Sequence, residues 1–170
     1  MLNDSLIITN ESDVVLINSW IAPNKNISYN LIYRASRDGD TENDFHRNCD
    51  NIAPTLVLGI TPKRYIFGGY TTVNWNYCSG KYLPDSEAFV FSINQKRKFH
   101  SNDKIHSVQS ISGYCTIFGN GSNSLQIENN ILTSNNHWSN PNGSYGSNLN
   151  LTEDKNFSIK EFEIFQVIIN

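Results

Sequence analysis

No apolar run in this 170-residue chain approaches the roughly 18 residues of a membrane-crossing helix, so the sequence holds no such span. Basic residues are not in excess: 13 Lys and Arg stand against 16 Asp and Glu, for a net charge of −3. A main role on nucleic acid would want a basic footprint, so no nucleic-acid partner is expected. Charged residues make up only 17% of the chain and aromatics 12%, which excludes a disordered polyelectrolyte and implies a core rich in large rings. There are three cysteines, Cys49, Cys78 and Cys115. An odd, widely spaced set does not make a disulfide framework and suits reduced thiols. No CxxC or HxxxH supplies paired zinc ligands, and neither a Walker loop nor a GxGxxG fingerprint is present. No metal and no cofactor is therefore expected. The first residues, MLNDSLIITNESD, carry acids where a secretory signal has a basic region, so a cytoplasmic location is expected. The Asn-x-Ser/Thr triplets at Asn26, Asn120, Asn142 and Asn150 then read as products of abundant asparagine.

What is present is organised around Leu31 to Asp50, LIYRASRDGDTENDFHRNCD. Leu31, Tyr33 and Ala35 alternate with Ile32, Arg34 and Ser36, as in a strand. Asp38-Gly39 breaks the strand with a turn. Thr41, with Asp44 three residues on, is a capping box that starts a short helix with Phe45 and Cys49 on its apolar edge. His46 is placed to hydrogen-bond Asp50 one turn on. Arg34 and Arg37 sit among acids, and a buried Arg makes sense only with a carboxylate partner. Glu163, in the last apolar stretch, is the first choice for Arg34 or Arg37.

YRASRDG followed by FHxxCD resembles the TLDc domain. The same family order continues through Thr55-Leu56, Ile66 to Thr71 (Phe67, Gly68, Gly69, Tyr70 and Thr71 within it), Trp75, and Asp85 to Ser92 with Phe89. It ends with Phe118-Gly119 and Glu163 to Val167. The resemblance covers nearly the whole chain. It implies a β-sandwich with short helices at its margins, and a structural rather than catalytic role for the motif residues. It also implies an interaction module of the oxidation-resistance type, members of which bind the cytosolic sector of the vacuolar-type proton pump. One departure is local: Gly113-Tyr114-Cys115-Thr116-Ile117 precedes Phe118-Gly119, where many members have Gly-Pro.

The residues give the same architecture. Asn10 caps a helix running to Ile21, with Val14, Ile17 and Trp20 as its stripe. Thr55–Ile60 and Arg64–Thr71 make a hairpin, with Gly68-Gly69 marking a bulge or a close backbone approach. Glu87–Ile93, apolar on both faces, is a central strand. Asn94–Asp103, holding Lys96, Arg97 and Lys98, reads as a basic loop. Gly119-Asn120-Gly121 is a turn, and Leu125 and Ile127 lie in a short strand. Asn129–Asn150 reads as a long surface excursion. Phe157–Ile169 closes the chain as one strand, whose phase shift implies a bulge near Lys160-Glu161. Short strands, few helices and frequent turns predict a mainly β, two-sheet antiparallel sandwich, a single domain over 1–170.

Three functions follow. The first is a protein-binding module, a monomer by itself, with Trp138 and Tyr145 or the basic Lys96, Arg97 and Lys98 as contact residues. The second is an enzyme using a reactive thiol or carboxylates drawn from Asp85, Glu87, Glu161 and Glu163. The third is a lectin-like sandwich, which needs an open polar face with aromatics. No catalytic set is assigned.

Overall fold

The computed structural model describes residues 2–76, 80–103, 105–120, 124–140, 142–146, 151–152 and 154–170. Two antiparallel sheets of six strands each pack face to face. The first sheet contains β1 (Ile27–Arg34), β2 (Thr55–Ile60), β3 (Ile66–Thr71), β5 (Phe89–Ser92), β6 (Arg97–His100) and β12 (Glu161–Ile169), in the order β1-β12-β2-β3-β5-β6. The second contains β4 (Tyr82–Leu83), β7 (Val108–Gln109), β8 (Tyr114–Phe118), β9 (Leu125–Glu128), β10 (His137–Ser139) and β11 (Asn156–Phe157), in the order β11-β10-β9-β8-β7-β4. The helices are α1 (Glu11–Ile21), α2 (Ala35–Asp38) and α3 (Glu42–Cys49).

The first sheet is buried on both faces, which is why β2, β3 and β5 read as continuous apolar runs. Its inner face meets the second sheet through Tyr33, Val57, Phe67, Val90, Phe162 and Ile164. Its outer face, with Leu56, Leu58, Phe91, Phe165 and Val167, lies under α1 and the segment Leu2–Ile8. In β12 the two sets alternate residue by residue, as a strand's period of two requires. Ile17 of α1 is fully buried, and Trp20 lies 5.5 Å from the Phe91 ring. Asn10 caps α1 by accepting from the Ser12 N–H at 3.0 Å.

Gly68 and Gly69 serve this two-faced burial. Register is unbroken from β2 to β3 and from β3 to β5, so no bulge occurs there. A Cβ on Gly68 would run into the Val57 carbonyl and the Phe91 ring; one on Gly69 would run into Phe118 of the opposite sheet. The missing side chains make room for a ring on each face.

Four expectations are corrected. The opening strand ends at Arg34, not Ser36: Asp38 Oδ2 accepts from the Arg34 N–H at 2.8 Å and folds Ala35–Asp38 into one helical turn. The basic stretch is not a loop. Lys96 turns the chain at φ 52°, and Arg97–His100 pairs with β5 as an edge strand. The closing segment is not one bulged strand. Asn156–Phe157 pairs with β10 in the second sheet, and Glu161–Ile169 lies between β1 and β2 in the first. The phase shift near Lys160 therefore marks a crossing between sheets. Nor is the asparagine-rich stretch wholly a surface excursion. It contributes β10 and buries Ile131, His137 and Tyr145.

Candidate functional site

The charged motif residues converge on one corner, where β1 meets β12. Arg34 faces Glu163 across the β1–β12 ladder, and the side chains meet at 2.8 Å through both Nε and a terminal nitrogen of Arg34. Glu163 is fully buried. Its oxygens also accept from Ser5 Oγ at 2.7 Å and from the Leu6 N–H at 2.9 Å. Arg34 donates further to the Asp4 carbonyl. Arg34 and Glu163, on adjacent strands but 129 residues apart in sequence, thus hold the N-terminal segment in place. Ser5 Oγ in turn accepts from the N–H groups of Ile7 and Ile8.

Glu161 repeats the arrangement one step along β12. It accepts from the N–H and the hydroxyl of Ser36 and from the Phe162 N–H. Arg37 does not reach Glu163; it lies against Asp38, with Nε and a terminal nitrogen each at 2.7 Å from the carboxylate. That paired Arg37 hydrogen bond is the main reason the Asp38 carboxyl is held below its ordinary pKa. Gly39 stands at φ 101°, and a Cβ there would collide with the Asp44 carboxylate. The Gly39 carbonyl accepts from the Tyr33 hydroxyl at 2.6 Å. Thr41 and Asp44 complete the capping box, and His46 Nδ1 lies 2.6 Å from Asp50.

A third buried carboxylate, Asp85, knots the chain where β3 ends at Thr71. Asp85 accepts from Thr71 Oγ1 at 2.6 Å, from the Thr72 N–H at 2.6 Å and hydroxyl at 2.9 Å, and from the Glu87 N–H at 3.0 Å. Trp75 is fully buried between Phe45 and Phe118 and donates from Nε1 to Thr55 Oγ1 at 2.9 Å. Phe67 meets Phe157 between the sheets, and Tyr70 stacks on Phe89 at 5.4 Å. Burial and the neighbouring Asp85 push the Tyr70 phenol up to about 12. The Gly119 N–H donates to the Ser107 carbonyl at 2.8 Å and fixes the turn after β8. Gly121 of that turn lies outside the described residues.

Each of the carboxylates considered for hydrolysis except Glu87 is thus buried and hydrogen-bonded within the fold, and Asp85 and Glu163 belong to separate knots. Cys49 and Cys115 are buried, and burial raises both thiols well above their ordinary range. Cys78 lies outside the described residues.

The proposed contact residues are dispersed. Tyr145 turns inward, 1% exposed, and donates its hydroxyl to the Ser107 carbonyl at 2.8 Å. Trp138 is half-buried under the Lys155 ammonium, 4.9 Å from its ring centre. Lys98 clamps α1, donating to the Trp20 carbonyl at 2.9 Å over the Phe89 ring, and Arg97 lies over Phe99. Lys96 is exposed at the β5–β6 turn. Among the described residues, the surface includes two grooves at the end carrying the β2–β3 turn. One, of about 400 Å³, lies between Lys63, Tyr65, Asn135 and Asn156 and is spanned by a 3.6 Å Lys63–Asp154 pair. The other, of about 470 Å³, runs between the N-terminal segment, with Leu6 and Ile7, and Ile60, Arg64, Ile66 and Lys160.

Ser5, Leu6 and Ser36 were not singled out by sequence reasoning. Their role depends on which carboxylate the fold carries to them, and no local pattern encodes that. Among the described residues, no helix is long and apolar enough to cross a membrane. A family model, described as the TLDc domain, matches residues 2–168. No curated protein matches the chain.

Proposed function

The chain belongs to the TLDc domain family, and from that membership we propose that it is a cytosolic interaction module. Its expected partner, by analogy with oxidation-resistance members of the family, is the cytosolic sector of the vacuolar-type proton pump. The observation that carries this reading is the match over residues 2–168. The fate of the motif residues supports it. Arg34, Asp85, Glu161 and Glu163 are engaged in holding segments together, and Trp75, Phe67 and Phe89 in filling cores. Residues occupied in this way maintain a surface, and fold alone does not specify which protein that surface meets.

The experiment is direct binding between the purified chain and the detached cytosolic sector of the pump, followed by the sector's ATPase rate. Saturable binding with a change in ATPase rate or in sector assembly is the expected result. No binding at tens of micromolar, about the range of weak transient contacts, would refute the pump as partner.

A further inference from the structure

The groove between the N-terminal segment and the β2–β3 turn has an apolar floor and a cationic rim. Ile7, Ile60 and Ile66 line it, and Leu6 remains 63% exposed beside them. Leu6 is held there from below, because its N–H is bound by the buried Glu163. The rim carries Arg64 and Lys160, which project from adjoining chain segments: Glu161 pairs with Ile60, and the Lys160 N–H donates to the Ile60 carbonyl at 2.7 Å. Both are exposed, and among the described residues neither takes part in an ion pair.

The backbone at Arg64 adds an independent observation. The turn Thr61–Tyr65 closes with the Arg64 N–H on the Thr61 carbonyl at 2.9 Å and the Thr61 N–H on the Tyr65 carbonyl at 3.0 Å. Its last loop residue must adopt the left-handed conformation, where glycine or asparagine is normal. Arg64 occupies it at φ 67°. A side chain with a Cβ thus stands where glycine would be unstrained, and strain of this kind clusters at sites of function. Of the two acids in the groove, Glu161 is turned to Ser36 and the Phe162 N–H, and Asp13 lies in the first turn of α1, where the helix dipole favours it. Among the described residues, neither of them faces a cation closely enough to pair with it.

We propose that this groove docks an acidic segment of a partner protein, in which one apolar side chain enters between Leu6, Ile60 and Ile66 while flanking carboxylates meet Arg64 and Lys160. The proposal rests on the interaction-module reading and gives that module its contact surface. A basic or neutral segment would leave the two cations unpaired, and a wholly polar one would leave the isoleucine floor uncovered.

The test is a two-dimensional NMR titration of the full chain with the peptide acetyl-Asp-Asp-Leu-Asp-Asp-amide. Shifts are expected at Leu6, Ile7, Ile60, Arg64, Ile66 and Lys160, with affinity falling several-fold between about 20 and about 200 mM salt, as exposed charges are screened. Replacing the peptide's Leu by Gly, or its Asp residues by Lys, should abolish them. The Arg64→Gly variant relaxes the left-handed residue, so it should keep or raise the melting temperature yet bind several-fold more weakly. Lys160→Glu should weaken binding further. The proposal is overturned if the groove residues do not shift, if the altered peptides bind equally, or if the shifts appear without peptide as protein concentration rises, which would make the occupant a second copy of the chain. Binding of the pump sector separates the two readings. Equal binding by wild type and by the Arg64→Gly, Lys160→Glu double variant leaves the module standing and removes this groove from it. Peptide binding without pump binding removes the pump and leaves the groove.

Discussion

Arg34 and Glu163, 129 residues apart in sequence, meet at 2.8 Å with the carboxylate fully buried. The pair joins β1 to β12, and through Ser5 and Leu6 it fastens the N-terminal segment over the outer core. Glu163→Gln leaves the guanidinium without its counter-charge and weakens the hydrogen bonds that the carboxylate accepts from Arg34, Ser5 and Leu6. Loss of one partner of a buried pair typically costs about 3–5 kcal/mol, so the urea midpoint should fall by that free energy divided by the m-value, a shift of about 1 M or more. Protease cleavage near Leu2–Ile8 should quicken in parallel. A midpoint within error of wild type would mean that the carboxylate contributes nothing to holding the corner.

Gly68→Ala tests the close approach within β3. The added methyl meets the Val57 carbonyl, which is backbone in a ladder and cannot swing aside. Overpacking of this kind costs about 1–3 kcal/mol, and the rigid neighbour places Gly68→Ala at the upper end. Gly113→Ala meets nothing within 4 Å, so any loss there comes from its φ of 91° alone. Equal urea midpoints for the two variants would show that contact with Val57 and Phe91 is not what fixes glycine at position 68.

The two-sheet class was legible because β2, β3 and β5 are short apolar runs bounded by turn residues, and their periodicity is local information. The capping box at Thr41 was legible for the same reason. A bridge from Arg34 or Arg37 to Glu163 was inferred from the cost of burying an arginine, which narrows its partners to acids inside the fold; which of the two arginines makes it was not legible. The crossing between β11 and β12 was not legible. A strand that changes sheets and a strand with a bulge leave the same phase shift in sequence. The inward turn of Tyr145 was equally hidden, since Asn, Ser and Gly around it describe a loop but not which of its rings finds a pocket. Lys98 misled for a third reason. A basic run looks solvated until a helix end arrives to accept from it, here the Trp20 carbonyl.

His137 makes stability depend on acid. It is fully buried; Nε2 donates to the Ile131 carbonyl at 2.8 Å, and Nδ1 accepts from the Glu128 N–H at 3.1 Å. Only the neutral ring can do both, and burial lowers its pKa from the ordinary 6.5. The unfolded chain therefore binds this proton more readily than the folded one. Stability from His137 is full above about pH 6.5 and is lost as pH falls below it, by at most about 1.4 kcal/mol per pH unit. Urea unfolding at pH 7.5 and pH 5 should show this slope in wild type and a shallower one in His137→Asn. Identical slopes would assign the acid sensitivity to other groups.

The thiols decide between a module and a redox enzyme. A peroxide-reactive cysteine must be reachable and held as thiolate. Cys49 lies at the C-terminal end of α3, fully buried, where both the helix end and desolvation oppose the thiolate. Cys115 is 1% exposed in β8, its thiol 3.7 Å from the Glu128 carbonyl, and burial raises it as well, with Glu42, Asp40 and Asp44 adding to the effect. Among the described residues, burial and anions, not a cation, shift the two thiols. In a Cys78→Ser background, both remaining thiols should label with a disulfide reagent only on unfolding. The peroxide rate of the folded protein should not exceed that of free cysteine, because the attacking species is almost absent at neutral pH. A folded-state rate orders of magnitude above free cysteine, abolished by Cys49→Ser or Cys115→Ser alone, would replace the module with an enzyme built on that sulfur. If wild type reacts fast and the Cys78→Ser protein does not, the chemistry belongs to Cys78, and the two core thiols keep the packing role that their burial implies.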